Sequence, residues 1–190
     1  MKVLDFFRKS PEKAAALALY RACVAQARQP GFYGEGSVPD TVDGRFDMIA
    51  IHVFLALYRL KGDRPRTAGL AQEVFDLMFA DMDQNLRELG VGDLAVGKRI
   101  RKMTSAFQGR IVAYEQALLA TPRQASQQAL MDALKRNLFR HGEPAPESLT
   151  AIADYMIRET QTLAGQSTEA LMTGSIAFGE PSPSHGIRQG

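Results

Sequence analysis

Residues Asp40 to Lys61 read DTVDGRFDMIAIHVFLALYRLK, and this stretch decides the fold. Phe46, Ile49, Ala50, Val53, Leu57 and Leu60 recur at helical spacing and form one stripe. Ile51, Phe54 and Leu55 add apolar groups on the other sides. A helix that is apolar nearly all round is the one a globular bundle buries at its centre. Asp40 and Thr41 are natural N-caps for it, and Gly62-Asp63-Arg64-Pro65 stops it. Its most apolar run, Met48 to Leu57, falls short of the roughly 18 residues of a membrane span and carries His52.

Outward from this helix, Gly and Pro punctuate the chain and strand-like alternation is missing. Ser10-Pro11 opens a first helix, with Ser as cap and Pro at the first helical position, where its missing N–H needs no partner. That helix runs to about Gln29, and an irregular loop with Gly34 and Gly36 follows from Pro30 to Pro39. A third helix spans about Arg66 to Leu89, with Leu70, Val74, Phe75, Leu77, Met78, Phe79, Met82 and Leu86 on its apolar side. After the break Gly90-Val91-Gly92, Asp93 caps a fourth helix to about Ala120. Val96, Ile100, Met103, Phe107, Ile111, Tyr114 and Leu118 share one of its faces. So short a connection makes helices three and four antiparallel neighbours.

Thr121-Pro122 opens a fifth helix ending near His141-Gly142. A last one covers about Glu147 to Leu163 and extends toward Met172. Beyond Gly174 the chain carries three Gly, two Pro and three Ser, a disordered-tail composition. The fold class read from this pattern is all-α: a single helical bundle of about six helices over residues 1–173, with a flexible tail over 174–190.

Length and composition agree. The chain has 190 residues, 45% of them hydrophobic, enough for one domain with its own core. Cys23 is the single cysteine, so no internal disulfide forms, as suits a reducing compartment. It sits in an Ala/Leu-rich helical stretch and reads as a small buried apolar residue. The N-terminal residues Met1 to Lys9 have no long apolar region and no small-residue cleavage site, so no secretory signal is expected.

Signals for enzymatic chemistry are weak. His52, His141 and His185 lack a second His, Cys or acid at metal-ligand spacing. His52 is expected on a helix surface or partly buried. Gly31-Phe32-Tyr33-Gly34-Glu35-Gly36 has neither the order nor the strand context of a nucleotide loop. No nucleophile elbow is present, and Cys23 has no nearby His. No catalytic residue, metal or cofactor is therefore expected, and no specific nucleic acid. Asp81 lies at the edge of the third helix's apolar stripe and is expected to form an ion pair with the basic fourth helix.

Charge is patterned although the net charge is only +2. Gln72 to Glu88 hold five acids against one base, and Val91 to Val112 hold five bases against one acid. Lys98, Arg101 and Lys102 fall opposite the core-facing Ile100 and should face solvent. Such a cluster suits phosphate, lipid head groups, RNA or an acidic loop. Arg45, Met48, His52, Leu55 and Arg59 recur every three or four residues and line a second stripe, on which cationic and apolar groups alternate.

Several blocks then line up: Val38-Pro39-Asp40-Thr41-Val42-Asp43-Gly44-Arg45-Phe46-Asp47, Phe79-Ala80-Asp81-Met82-Asp83, Leu86-Arg87-Glu88-Leu89-Gly90-Val91-Gly92-Asp93-Leu94, Val96-Gly97-Lys98-Arg99, Lys102-Met103 and Phe107-Gln108-Gly109-Arg110. In this order and spacing they resemble the ubiquinol–cytochrome c chaperone family, closely over residues 30–120 and loosely over the flanking helices. The resemblance implies a non-catalytic assembly factor for the cytochrome bc1 complex that binds newly made cytochrome b at the membrane surface. Mitochondrial members of the family do so with a second small partner near the ribosomal tunnel exit, and support haem acquisition. Having neither presequence nor membrane anchor, the chain is similar to a bacterial member, expected in the cytoplasm and peripheral to the inner membrane, with the membrane surface and the ribosome as further partners. The client-contact residues it points to are Arg45, Asp47, His52, Arg59, Lys98, Arg101, Lys102 and Arg110, with Met48, Met78, Met82 and Met103 as adaptable apolar contacts. Gly44, Gly92 and Gly97 are expected at turns or close helix contacts. The alternative reading is a peripheral lipid- or RNA-binding protein that uses the basic helix 98–110.

Overall fold

In a computed structural model the chain is described over residues 10–33, 37–139 and 144–181. Among these residues there are seven α-helices: α1 Pro11–Ala27, α2 Val42–Lys61, α3 Arg64–Glu88, α4 Asp93–Leu119, α5 Arg123–Asn137, α6 Pro146–Ala164 and α7 Thr168–Met172. The seventh arises because the last expected helix is interrupted. Gly165 ends α6, and Ser167 caps α7 by accepting from the Ala170 N–H.

Local chemistry sets most boundaries. The Ser10 hydroxyl accepts from the Lys13 N–H at 3.2 Å, with Pro11 opening α1. Thr41 accepts from the Gly44 N–H at 3.1 Å and starts α2. The chain enters α2 so tightly that a Cβ on Gly44 would lie 2.1 Å from the Pro39 carbonyl oxygen, which only glycine tolerates. Gly92 rather than Asp93 is the cap of α4, because Asp93 has moved into the first turn, where its carboxylate favours the helix N-terminus. Gly90 supplies the positive φ (79°) that reverses the chain between α3 and α4.

α2 is the central helix, as its composition predicts. Every residue from Asp47 to Ala56 is buried, and α2 packs against α1, α3, α4 and α6. Burying one Val, Leu, Ile or Phe side chain is worth about 1.5–3 kcal/mol, so this helix anchors the core. α3 and α4 pack as neighbours, with Phe75 and Phe79 against Phe107 across the seam. Gly97 departs from expectation: the nearest neighbour to a Cβ there is the Arg101 guanidinium at 3.8 Å, so it marks no close helix contact.

The first part of the tail expected from residue 174 onward departs from that reading. Residues 174–181 run extended along the bundle, because two apolar anchors hide within their Gly/Pro/Ser composition. Ile176 and Phe178 pack on the core, and the Gly179 N–H donates to Glu159 at 2.8 Å. Residues 182–190, His185 among them, lie outside the described residues, as do residues 1–9, Gly34, Gly36 and His141.

Candidate functional site

Three groups of side chains carry the polar chemistry. The first is inside the bundle. His52 on α2 has no solvent exposure. Its Nδ1 lies 2.8 Å from the Met48 carbonyl oxygen, which can only accept, so Nδ1 carries the proton. Nε2 then accepts from the Tyr155 hydroxyl at 2.8 Å. Gln26 on α1 donates to that same hydroxyl at 3.2 Å and to the Gly179 carbonyl at 2.7 Å. Phe32 and Phe178 meet the imidazole edge-on, each 5.3 Å between ring centres. Burial pulls the imidazole pKa down to about 4, so the ring is neutral. This network binds α1, α2, α6 and the C-terminal segment together and leaves His52 out of reach of any partner. Its reading as a client-contact residue is corrected on that ground.

The second group pairs two more of the expected contact residues with each other. The Arg110 guanidinium donates to the Asp47 carboxylate at 2.7 Å, linking α4 to α2. Asp47 is 2% exposed and Arg110 9%, so neither offers its charge to a client. Arg110 Nη2 also reaches the Asn137 carbonyl at 3.4 Å, while its Nε has no partner among the described residues. Arg110 was expected among the client contacts; its position beside Phe107 and Tyr114 on the buried face of α4 corrects that reading. Arg59 has a structural task as well. It donates to the Leu163 and Gln166 carbonyls at 2.8 and 2.6 Å, satisfying carbonyl groups at the end of α6. The acid expected to pair with α4, Asp81, instead accepts from the Tyr20 hydroxyl of α1 at 2.7 Å.

The third group is exposed. Lys98, Arg101 and Lys102 share the outward side of α4, as predicted, and Arg45 stands at the start of α2 in an ion pair with Asp40. An apolar cleft of about 600 Å³ opens between α2, α3 and α4, walled by Leu57, Tyr58, Phe75 and Ile111. A second cleft of about 720 Å³ adjoins it past Tyr58 and reaches α6. The Lys61–Glu115 ion pair, 2.7 Å long, borders both. Sequence reasoning missed the cleft because its walls read as ordinary core positions on three separate helices. It missed Tyr155 and Glu159 because each is a lone polar residue on an apolar stripe.

Cys23 is buried, its thiol donating to the His52 carbonyl oxygen at 3.5 Å, and burial pushes its pKa up. It has no thiolate to react with. Among the described residues no group of three His, Cys, Asp or Glu is placed to hold a metal ion, and no helix is long and apolar enough to cross a membrane.

A family model for the ubiquinol-cytochrome C chaperone matches residues 35–178. The chain belongs to this family. The match takes in all eight candidate contact residues and the C-terminal segment as far as Phe178. Curated relatives carry the name ubiquinol-cytochrome-c reductase complex assembly factor 1. The Xenopus laevis protein is 26% identical over 175 residues, covering 90% of this chain and 84% of that one. The mouse protein is 27% identical over 167 residues, and the chain spans about half (55%) of its length. A crystal structure of the Cbp3 homolog from Brucella abortus superposes with a TM-score of 0.78 at 41% identity, over 95% of this chain and 97% of that one. Membership of the chaperone family thus rests on sequence and fold together.

Proposed function

We propose that the chain is a non-catalytic assembly chaperone for the cytochrome bc1 complex that holds newly made cytochrome b at the membrane surface. Membership of the ubiquinol–cytochrome c chaperone family carries this reading, and relatives named as assembly factors of ubiquinol–cytochrome c reductase support it. The geometry agrees. His52 is held inside the bundle by the Met48 carbonyl and the Tyr155 hydroxyl, and Asp47 and Arg110 are paired there with each other. What the surface offers is a binding feature: an apolar cleft with a cationic residue, Lys61, at its border. We assign client contact to this cleft and to Arg45. An unassembled membrane protein exposes apolar segments that need cover and polar loops that need counter-charges.

The reading is tested by placing a photo-reactive residue at Ala68, which lines the cleft, and, as a control, at Gln124 on the exposed side of α5. Cytochrome b should cross-link from position 68 and not from 124. Absence of cytochrome b from the products at 68 removes the cleft. Absence from every preparation, including co-purification in mild detergent, removes the client.

A further inference from the structure

The outward side of α4 carries an arrangement separate from the residues that line the cleft. At roughly 100° per residue, Leu94, Lys98, Arg101, Lys102 and Val112 fall within one third of the helix circumference. Val96, Phe107, Arg110 and Tyr114, all buried, occupy the opposite side. Leu94 is 94% exposed and Val112 54%, and Leu89 at the end of α3 is 68% exposed beside the same turn. Single exposed apolar residues are ordinary. Here four of the six large hydrophobics exposed among the described residues, Leu119 being the fourth, lie on one hairpin, and Leu89, Leu94 and Val112 flank a cationic cluster.

Among the described residues none of Lys98, Arg99, Arg101 and Lys102 has a carboxylate within 4 Å, whereas the neighbouring Arg87 and Arg110 each do. The acids at the hairpin end are held apart from them: Arg87 engages both Asp83 and Asp93, and Gln84 donates to the exposed Glu88. The positive charge of α4 is left open to solvent along a convex surface about 27 Å long, from Leu94 to Val112 at ~1.5 Å per residue.

We propose that the α3–α4 hairpin docks flat on an anionic bilayer surface, with Lys98, Arg101 and Lys102 on the lipid phosphates and Leu89, Leu94 and Val112 entering the head-group layer. Aliphatic groups alternating with cations on one convex helix side are what an interfacial helix presents. RNA would use aromatic stacking partners, and this side of α4 has none. A partner helix would need a groove, which a convex side lacks. The inference does not depend on the identity of the client. It adds a way for the chaperone to reach the membrane surface through α4.

The test is co-sedimentation of the purified full chain with vesicles of phosphatidylcholine, alone or mixed with phosphatidylglycerol. The chain should bind the mixed vesicles and not the neutral ones. Each Lys or Arg near such a surface contributes about fivefold in partitioning, so K98E/R101E/K102E should lose roughly 100-fold or more. Leu94→Ser should lose roughly tenfold, and that loss should persist in high salt, where the cationic contribution is screened. Circular dichroism verifies that both variants keep their helices. Failure of the wild-type chain to bind mixed vesicles, or equal binding by the triple variant, overturns the proposal. So does RNA binding that the triple variant loses and Leu94→Ser retains, with no vesicle binding. Cytochrome b capture in detergent separates this from client binding: the triple variant should retain capture. Loss of capture with vesicle binding intact would make this side of α4 a client surface and overturn the proposal.

Discussion

The Arg110–Asp47 pair offers the sharpest test of how the bundle is held. Replacing Arg110 with Met keeps an apolar stem of similar length but strips the guanidinium from a carboxylate that is 2% exposed. The bond between the two is 2.7 Å long and links α2 to α4 across the core. Removing one partner of a buried pair costs about 3–5 kcal/mol, because the remaining buried charge loses a counter-charge. Against a typical total of about 5–15 kcal/mol, that is a large share. For a chain of this size it corresponds to a fall in Tm of roughly 10 °C or more. Asp47→Leu alone should cost a comparable amount by stranding the guanidinium. The double variant D47L/R110M removes both charges and should come back to within about 1 kcal/mol of the wild type. Lys61→Ala breaks the exposed Lys61–Glu115 pair and serves as the control, at about 0.5 kcal/mol or less. Urea unfolding followed by circular dichroism reads all four. If R110M lies within 1 kcal/mol of the wild type, or the double variant loses the sum of the single losses, the pair is not the buried, mutually dependent element described above.

Two further predictions follow from the interior. His52 titrates near 6.5 when unfolded and at about 4 when folded, so between these values the unfolded chain binds the extra proton. Stability should therefore be complete above pH 6.5 and fall as the pH drops toward 4, by up to ~3 kcal/mol; a His52→Leu variant that keeps the same slope over that window would show that another group is responsible. Two of the glycines in the family blocks should respond in opposite directions. Gly44→Ala drives a methyl into the Pro39 carbonyl and should cost about 1–3 kcal/mol, whereas Gly97→Ala meets nothing closer than 3.8 Å and should gain up to ~1 kcal/mol. Thermal melts of the two variants decide it, and equal shifts would refute the packing argument.

The elements legible in the sequence are those with one dominant signal. α2 is apolar on every side, and Ser10, Thr41 and Gly62 punctuate helices in ways that local hydrogen bonding makes unambiguous. The cationic side of α4 was readable for the same reason: Lys98, Arg101 and Lys102 are set by helical period against Val96 and Phe107. What escaped the sequence depends on pairing across distance. Asp47 and Arg110 are 63 residues apart, and nothing local distinguishes a base that meets a buried acid from a solvated one. Tyr155 lies 103 residues from His52, so the imidazole looked half-exposed without the hydroxyl that satisfies it. The C-terminal segment misled through composition, since two apolar residues, Ile176 and Phe178, outweigh the surrounding Gly, Ser and Pro once a core is there to receive them.

The central claim, that this chaperone serves assembly of the cytochrome bc1 complex, is tested most directly by deleting its gene and recording dithionite-reduced spectra of the membranes. The account predicts a selective loss of the b- and c1-type haem signals of the complex, with other haem proteins unchanged. The wild-type chain should restore them, and D47L/R110M, which keeps fold and surface, should do so too. Normal bc1 spectra and activity in the deletion strain would contradict the claim.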